Sequence, residues 1–298
     1  AIHFCDPARP HSAIPMPCAR FRFELMLLDS DDRATVATQE SLDRLLAQWL
    51  EPGAARLERS AVYTFRGIVA EPAKWRKGRV FLAGDAAHQM PPFLGQGMCS
   101  GMRDAANLAW KLEAVVRGRA HERLLDTYGP ERAPHVHGIT RAAVDFGAII
   151  CCLDPVAAAE RDRRYLDGSP GLDTAGLFGL PKLEPGPLVL DGGGGLFPQI
   201  RVNGRRLDDV LGPRFLVLAR DAATLAGTRA RWERGFGAVV ATLGELDDGS
   251  GTLARWLGKA RAEAVVVRPD RYVLWAGSDL APAADYLDAA LAGVPRLL

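Results

Sequence analysis

"GRVFLAGDAAHQMPPFLGQGMCSGMRDAANLAWKL", residues 78–112, runs from a short apolar segment through a loop crowded with Gly, Pro, Asp and His into a long helical pattern. "RVFLAG" reads as a core strand, and Asp85 behind it would stand at the carboxyl edge of a sheet, where open α/β sheets place their ligands. Its carboxylate accepts hydrogen bonds from hydroxyls. Gly95 and Gly97 remove side chains just before the helix, which lets a flat group approach backbone N–H donors at the positive end of the helix dipole. Pro91-Pro92 fixes φ and removes donors, as suits a stiff wall against a ring. A Gly-Asp turn alone is more often only a turn, but the joint taken whole points to a bound group.

The helix expected from about Met98 to Gly118 places Met102, Ala105, Ala106, Leu108, Ala109, Leu112, Val115 and Val116 on a broad apolar face, with Gly118 as an αL cap. Upstream, "FRFELMLL" (21–28) alternates like a strand with one wet face. "SLDRLLAQWL" (41–50) has helical spacing with Ser41 as N-cap, and "LERSAVYTFRGIVA" (57–70) offers another strand. Downstream, "HERLLDTYGPERAPHVHGITRAAVDFGAII" reads as helix interrupted at Gly129-Pro130 and at Pro134. Residues 166–187 are rich in Gly and Pro and read as a connection or irregular arm. Beyond them "RFLVLAR", "GAVVATLG", "AEAVVVRP" and "RYVLWAG" read as strands alternating with helical segments, hence a second α/β domain. The glycine run 192–195 reads as a flexible turn.

The 298 residues are 48% hydrophobic and 24% charged, with a formal net charge of +1. No charge field selects nucleic acid or an anionic membrane, and no apolar run approaches the ~20 residues of a membrane span. No signal-peptide pattern opens the sequence, so a cytoplasmic protein is expected. Five cysteines, without CxxC or metal-ligand spacing, read as reduced thiols, and no metal is expected.

The joint, 84–112, closely resembles the second flavin-binding motif of the single-component FAD-dependent aromatic hydroxylases, the para-hydroxybenzoate hydroxylase superfamily. Within it, "CDPARP", "PPFLGQGMCSGMRDAANLAWKLE", "LLDTYGPERAPHV" and "CCLDPVAAAERD" look most like the 3-(3-hydroxyphenyl)propionate hydroxylases. The resemblance implies FAD as cofactor, NADH or NADPH as co-substrate, and hydroxylation of a small phenolic ring with O2. It implies that Asp85, beside Gly84, hydrogen-bonds the ribityl hydroxyls. Pro91, Pro92 and Phe93 would line the flavin ring, with Phe93 toward the substrate. The backbone around Gly95, Gln96, Gly97 and Met98 would face the ring's pyrimidine edge.

The sequence holds no strand–GxGxxG–helix segment and no middle Asp-Gly motif, so it is expected to begin partway through the parent enzyme. The expected class is mixed α/β: residues 1–75 as the remainder of a substrate-binding domain, 76–184 as the second FAD motif with its helices, and 185–298 as a thioredoxin-like domain. That last segment has no cysteine and so no thiol exchange; the resemblance gives it an interaction or homo-oligomer role, with a packing appendage as the alternative. His88 is a weak candidate for moving a proton, otherwise a turn-capping residue. Arg22, with Arg20 on the same strand, is a candidate for a substrate carboxylate, against a solvated strand face. Arg103 and Asp104 are expected to pair locally or cap the loop, and His135 and His137 fall on different helix faces. Two further readings stay open: a hydroxylase of another phenol or polyketide, and a truncated non-catalytic paralogue.

Overall fold

Alternating side chains over residues 11–25 build an antiparallel sheet in a computed structural model that describes residues 2–51, 53–168, 179, 181–190, 192–246 and 248–293. Strands β1 (Ile2–Phe4), β2 (His11–Met16) and β3 (Arg20–Leu25) lie in the order β1-β2-β3. Helix α1 (Gln39–Leu46) follows, capped by Thr38, whose side chain accepts from the Ser41 N–H. Ser41, expected as the cap, is instead inside the helix.

The expected strand over 57–70 is corrected: only β4 (Ile68–Val69) is regular, paired with β7 (His88–Gln89). Residues 57–67 are exposed throughout, and no partner strand among the described residues pairs with their backbone. Strand propensity without a ladder does not make a strand. "RVFLAG" is likewise no core strand. It contributes β6 (Val80–Phe81) to a hairpin with β5 (Arg76–Lys77), and Val80 is 67% exposed.

Helix α2 (Gly97–Val116) has the expected span, and Gly118 closes it at φ +67°. Its buried face differs from the expected one. Ser100, Asp104, Asn107, Trp110, Lys111 and Ala114 point inward, while Met102 and Val116 are exposed, the latter 82%. Charges, not methyl groups, decide the face, because each inward charge finds a partner. Helix α3 (Tyr128–Ile150) runs through both prolines without interruption. Pro130 sits in the first turn, where no intrahelical donor is needed; at Pro134 the missing N–H removes only one bond of the ladder. Helix α4 (Pro155–Leu166) is capped by Asp154, which accepts from the Val156 and Ala157 N–H groups. Half of the irregular arm expected at 166–187, residues 169–178 and 180, lies outside the described residues.

After a small hairpin, β8 (Arg201–Val202) with β9 (Arg205–Arg206), come helix α5 (Leu207–Leu211) and the expected second sheet. Its strands are β10 (Leu216–Ala219), β11 (Val239–Thr242), β12 (Ala264–Val267) and β13 (Val273–Gly277). The order is β11-β10-β12-β13, with β10 parallel to β11 and the other pairs antiparallel. Helices α6 (Arg229–Phe236), α7 (Thr252–Ala260) and α8 (Leu280–Leu291) stand between or after them. Val217, Ala219, Ala264 and Val266 pack on one face with Trp110 of α2, Trp232 of α6 and Leu287 of α8. Leu216, Leu218, Val265 and Val267 pack on the other with Leu207 of α5 and Leu257 of α7. Burial on both faces explains the continuous apolar runs. The topology is compatible with a thioredoxin-like domain.

The glycine run is not a flexible turn. The Gly194 N–H donates to Val273 O and Gly195 O accepts from the Val273 N–H, each at 2.8 Å. A Cβ on Gly193 would lie 2.6 Å from Leu274 O, and one on Gly194, at φ +85°, 2.3 Å from Leu183 O. Glycine is required at 193 for close approach to β13 and at 194 for close approach to the Leu183 carbonyl.

The chain forms two compact units: Ala1–Gly67, Met90–Leu94 and Ala142–Phe178, and Ile68–Gln89, Gly95–Arg141 and Gly179–Leu298. No single helix among the described residues is long and apolar enough to cross a membrane.

A buried ion cluster in the second unit gives a pH prediction. Glu131 of α3 accepts from Arg268 Nη2 at 2.7 Å and Asn107 Nδ2 at 2.8 Å, with Lys111 Nζ at 3.0 Å. Burial alone would raise its carboxyl, but the Arg268 and Lys111 charges outweigh burial and hold it at about 2 instead of 4.5. A depressed carboxyl pKa stabilises the fold fully above the unfolded value and ceases to do so as pH falls through the folded one. About 3 kcal/mol should therefore be lost as pH falls from 4.5 toward 2. Urea midpoints measured across that window should fall steeply in the native protein and more shallowly in Glu131→Gln.

Candidate functional site

The turn Gly84–Ala86 follows the β5–β6 hairpin and is held against α2. Asp85 is therefore on a 3-10 turn, not at the edge of a sheet, because β6 ends two residues before the turn begins. Gly84 sits at φ +56°, and a Cβ on Gly101 would lie 3.3 Å from its Cα. Two glycines facing each other let turn and helix touch backbone to backbone.

Asp104, one helical turn after Gly101, fastens that contact. Its Oδ2 accepts from the Gly84 N–H at 3.0 Å and the His88 Nε2–H at 2.7 Å, and its Oδ1 accepts from Arg132 Nε at 2.9 Å. Asp104, His88 and Arg132 are all buried. Burial opposes ionisation of Asp104, but the His88 hydrogen bond and the Arg132 charge outweigh it and lower the carboxyl. Asp104 is thus an ionised hub and does not pair with Arg103, which donates to Gln96 Oε1 at 3.1 Å. The one sequence signal for it was an acid in the middle of a helix whose other inward residues were expected to be apolar.

His88 is committed to this hub and stacks on Trp75, with centroids 5.9 Å apart. Any proton transfer by it would have to use Nδ1, which has no partner among the described residues. His135 accepts from the Tyr272 hydroxyl at 3.2 Å, and burial with the Arg132 and Arg103 charges drives it down to about 3, so it is neutral.

Asp85 itself is exposed, and its carboxylate makes no hydrogen bond or ion pair among the described residues. At the start of α2, Gly95 has φ +62° with open space where a Cβ would point, and Gln96 takes the cap position without capping by its side chain. The N–H groups of Gly97, Met98 and Cys99 have no protein acceptor among the described residues, and Met98 is 71% exposed. No acid in the first turn offsets the dipole. The second unit thus presents a free carboxylate on one segment and free N–H donors on another, held together by Asp104 and the glycine contact. A group with hydroxyls and a polar, electron-accepting edge suits this donor and acceptor set.

The other half of the loop belongs to the first unit. Pro91 is buried and Pro92–Leu94 form a 3-10 turn. Phe93 packs so closely on α3 that a Cβ on Gly147 would lie 2.3 Å from its ring, and Phe65 meets it edge-on at 5.6 Å. Arg22 is half exposed and pairs with Glu24 at 3.0 Å; Arg20 pairs with Glu58 at 3.1 Å.

The FAD binding domain family matches residues 21–143, and the HcaD C-terminal domain family matches 194–291. A probable NADH-specific resorcinol 4-hydroxylase of Rhodococcus jostii is 37% identical over 98% of this chain and 57% of its own length. A 3-(3-hydroxy-phenyl)propionate/3-hydroxycinnamic acid hydroxylase of Burkholderia cenocepacia is 33% identical over 90% of this chain and 56% of its own. The chain therefore spans a little over half the length of these relatives. Among solved structures, the OxyS anhydrotetracycline hydroxylase from Streptomyces rimosus aligns over 99% of this chain and 60% of its own, at 26% identity and TM-score 0.63. The flavin-dependent monooxygenase PieE, solved with FAD and substrate, shares the fold at TM-score 0.74 and 24% identity, over 96% of this chain and 60% of its own. With both family matches falling on the segments just described, the chain carries an FAD binding domain and an HcaD C-terminal domain, and the relatives it matches over nine-tenths or more of its length are named resorcinol and hydroxyphenylpropionate hydroxylases.

Proposed function

We propose that the protein containing this chain hydroxylates a small phenolic ring, using FAD, O2 and NADH or NADPH. The observation that carries the reading is the unpartnered Asp85 carboxylate fixed beside the open N-terminus of α2. FAD, when bound, supplies the redox chemistry that joins NAD(P)H oxidation to oxygen transfer. The chain's own residues bind and orient it. Asp85, next to Gly84, accepts from hydroxyls of the ribityl chain. The N–H groups of Gly97 and Met98, with Gly95 and Gln96 shaping the approach, donate to the polar edge of the ring and favour negative charge there, a dipole effect of ~0.3 to 1 kcal/mol.

Pro91, Pro92 and Phe93 form the wall of the ring and exclude water, with Phe93 toward the substrate. Arg22 is the proposed carboxylate contact, and a carboxylated phenol would have to displace Glu24 from it. The names of the two relatives favour a 1,3-dihydroxybenzene or a 3-hydroxyphenyl propionate as substrate. The domain assignment, 1–75, 76–184 and 185–298, goes with this reading, as does cytoplasmic location, where NAD(P)H is supplied. Homo-oligomerisation through the C-terminal domain rests on family resemblance alone.

The test is product analysis with the full-length protein, FAD, NADH or NADPH and a panel of phenols under 18O2. One labelled oxygen in a ring-hydroxylated product is expected. NAD(P)H consumption that yields only hydrogen peroxide with every phenol would contradict the reading, and a protein that stays colourless and apo with excess FAD would favour a non-catalytic paralogue.

A further inference from the structure

Two sets of buried charges lie along one face of α2, and adjacent residues of α3 serve them. Arg132 holds Asp104, which fixes the Gly84 N–H and His88; its neighbour Glu131 holds Asn107 and Lys111. The second set continues into the C-terminal sheet. Arg268, at the end of β12, donates to Glu131 at 2.7 Å and pairs with Asp270 at 2.6 Å, and its Nη1 donates to Leu188 O at 3.1 Å. Asn107 Nδ2 reaches Asp270 at 3.1 Å as well. Arg268 and Lys111 also lie over the Trp110 ring, at 5.7 and 5.8 Å. Arg268, Lys111 and Asn107 are fully buried, and Glu131 and Asp270 nearly so.

We infer that Arg268 of the C-terminal sheet is a positioning residue for the Gly84–Asp85 turn and the first turn of α2, acting through Glu131, Arg132 and Asp104. Apolar packing tolerates sliding, whereas a planar guanidinium fork shared by two carboxylates sets both rotation and axial position. Buried ion pairs add little net stability over apolar residues of the same size, so geometry is their better-attested use. Asn107 lies ten residues, about 15 Å, along a continuous helix from Gly97, so a rotation at Asn107 is carried to the free N–H donors. Glu131 and Arg132 are consecutive, so a shift of one moves the other and, with it, Asp104. The C-terminal domain thereby conditions the proposed flavin contacts, and this consequence rests on the flavin reading above.

The experiment is amide hydrogen exchange on the apo full-length protein, read at Gly84 and Ser100, whose N–H groups bond Asp104 and Gln96 O. The variants are Arg268→Lys, which keeps the charge and loses the fork, and Asn107→Ala, which leaves the ions paired and removes the amide that bridges them. Should Arg268→Lys fail to fold, Asn107→Ala gives the same readout. Trp256→Ala is the control: it weakens the opposite face of the same sheet without touching the ion cluster. Exchange at both amides should rise about tenfold in the two variants with unchanged helix content, and stay near the native rate in the control. The FAD dissociation constant should rise about tenfold in the same two variants. Native exchange at Gly84 and Ser100 in the folded variants would overturn the inference. Faster exchange in a protein that binds no FAD even as wild type would support the positioning role and refute the flavin reading.

Discussion

Replacing Asp85 with alanine in the full-length protein should weaken FAD binding about a hundredfold while leaving the melting temperature unchanged. The magnitude is that of one or two hydrogen bonds to a charged acceptor, removed from a site that offers no substitute. The unchanged stability follows from its environment: the carboxylate is exposed and has no protein partner among the described residues, so nothing in the apo fold loses a contact. Asp85→Asn should fall between the two, since the amide keeps one acceptor oxygen without the charge. Flavin fluorescence titration gives the dissociation constants. An Asp85→Ala protein with native FAD affinity would remove this residue from the site.

Asp104→Ala should do the opposite, with a large stability loss and a secondary loss of binding. It leaves the buried Arg132 guanidinium without its counter-ion and the Gly84 N–H and His88 Nε2 without an acceptor. Breaking a buried pair from one side typically costs ~3 to 5 kcal/mol, because the remaining charge is buried and uncompensated. Urea denaturation should show that loss. Asp104→Asn should recover part of it, because the amide oxygen can still accept from Gly84 while the charge on Arg132 stays unmatched. A loss within 1 kcal/mol for Asp104→Ala would mean that Gly84 and Arg132 are held by other contacts.

The two variants separate the roles of adjacent parts of one motif. Asp85 faces outward and is free to bind; Asp104 faces inward and builds the surface from which Asp85 projects. Sequence reading put Asp85 on a sheet edge, since "RVFLAG" has the composition of a core strand, whereas it lies on a 3-10 turn. Strand formation depends on a neighbour, and composition does not say whether one is present. The four strands of the C-terminal sheet were legible for the converse reason. Both faces are buried, so apolar runs such as "LVLA" and "AVVV" carry the signal without knowledge of pairing.

Helix α2 shows what hydrophobic periodicity misses. Its length and C-terminal glycine were readable, but its inward face was not, because the partners of Asp104, Asn107 and Lys111 lie at positions 84, 131 and 270. A polar residue counts as outward on any hydropathy scale until its counter-ion is located. Pro134 likewise reads as a break, yet α3 continues through it between the buried Ala133, His135 and Val136. The glycines at 192–195 looked like slack; the approach of β13 to Gly192 and Gly193 and of Leu183 O to Gly194 shows that a side chain at those three positions would collide with backbone.

The most direct measurement is a crystal structure of the full-length protein with FAD. A ribityl hydroxyl is expected within hydrogen-bonding distance of the Asp85 carboxylate, about 2.5–3.0 Å. The polar edge of the ring should meet the N–H groups of Gly97 and Met98. Flavin bound away from both, with Asp85 and the first turn of α2 still facing solvent, would contradict the account.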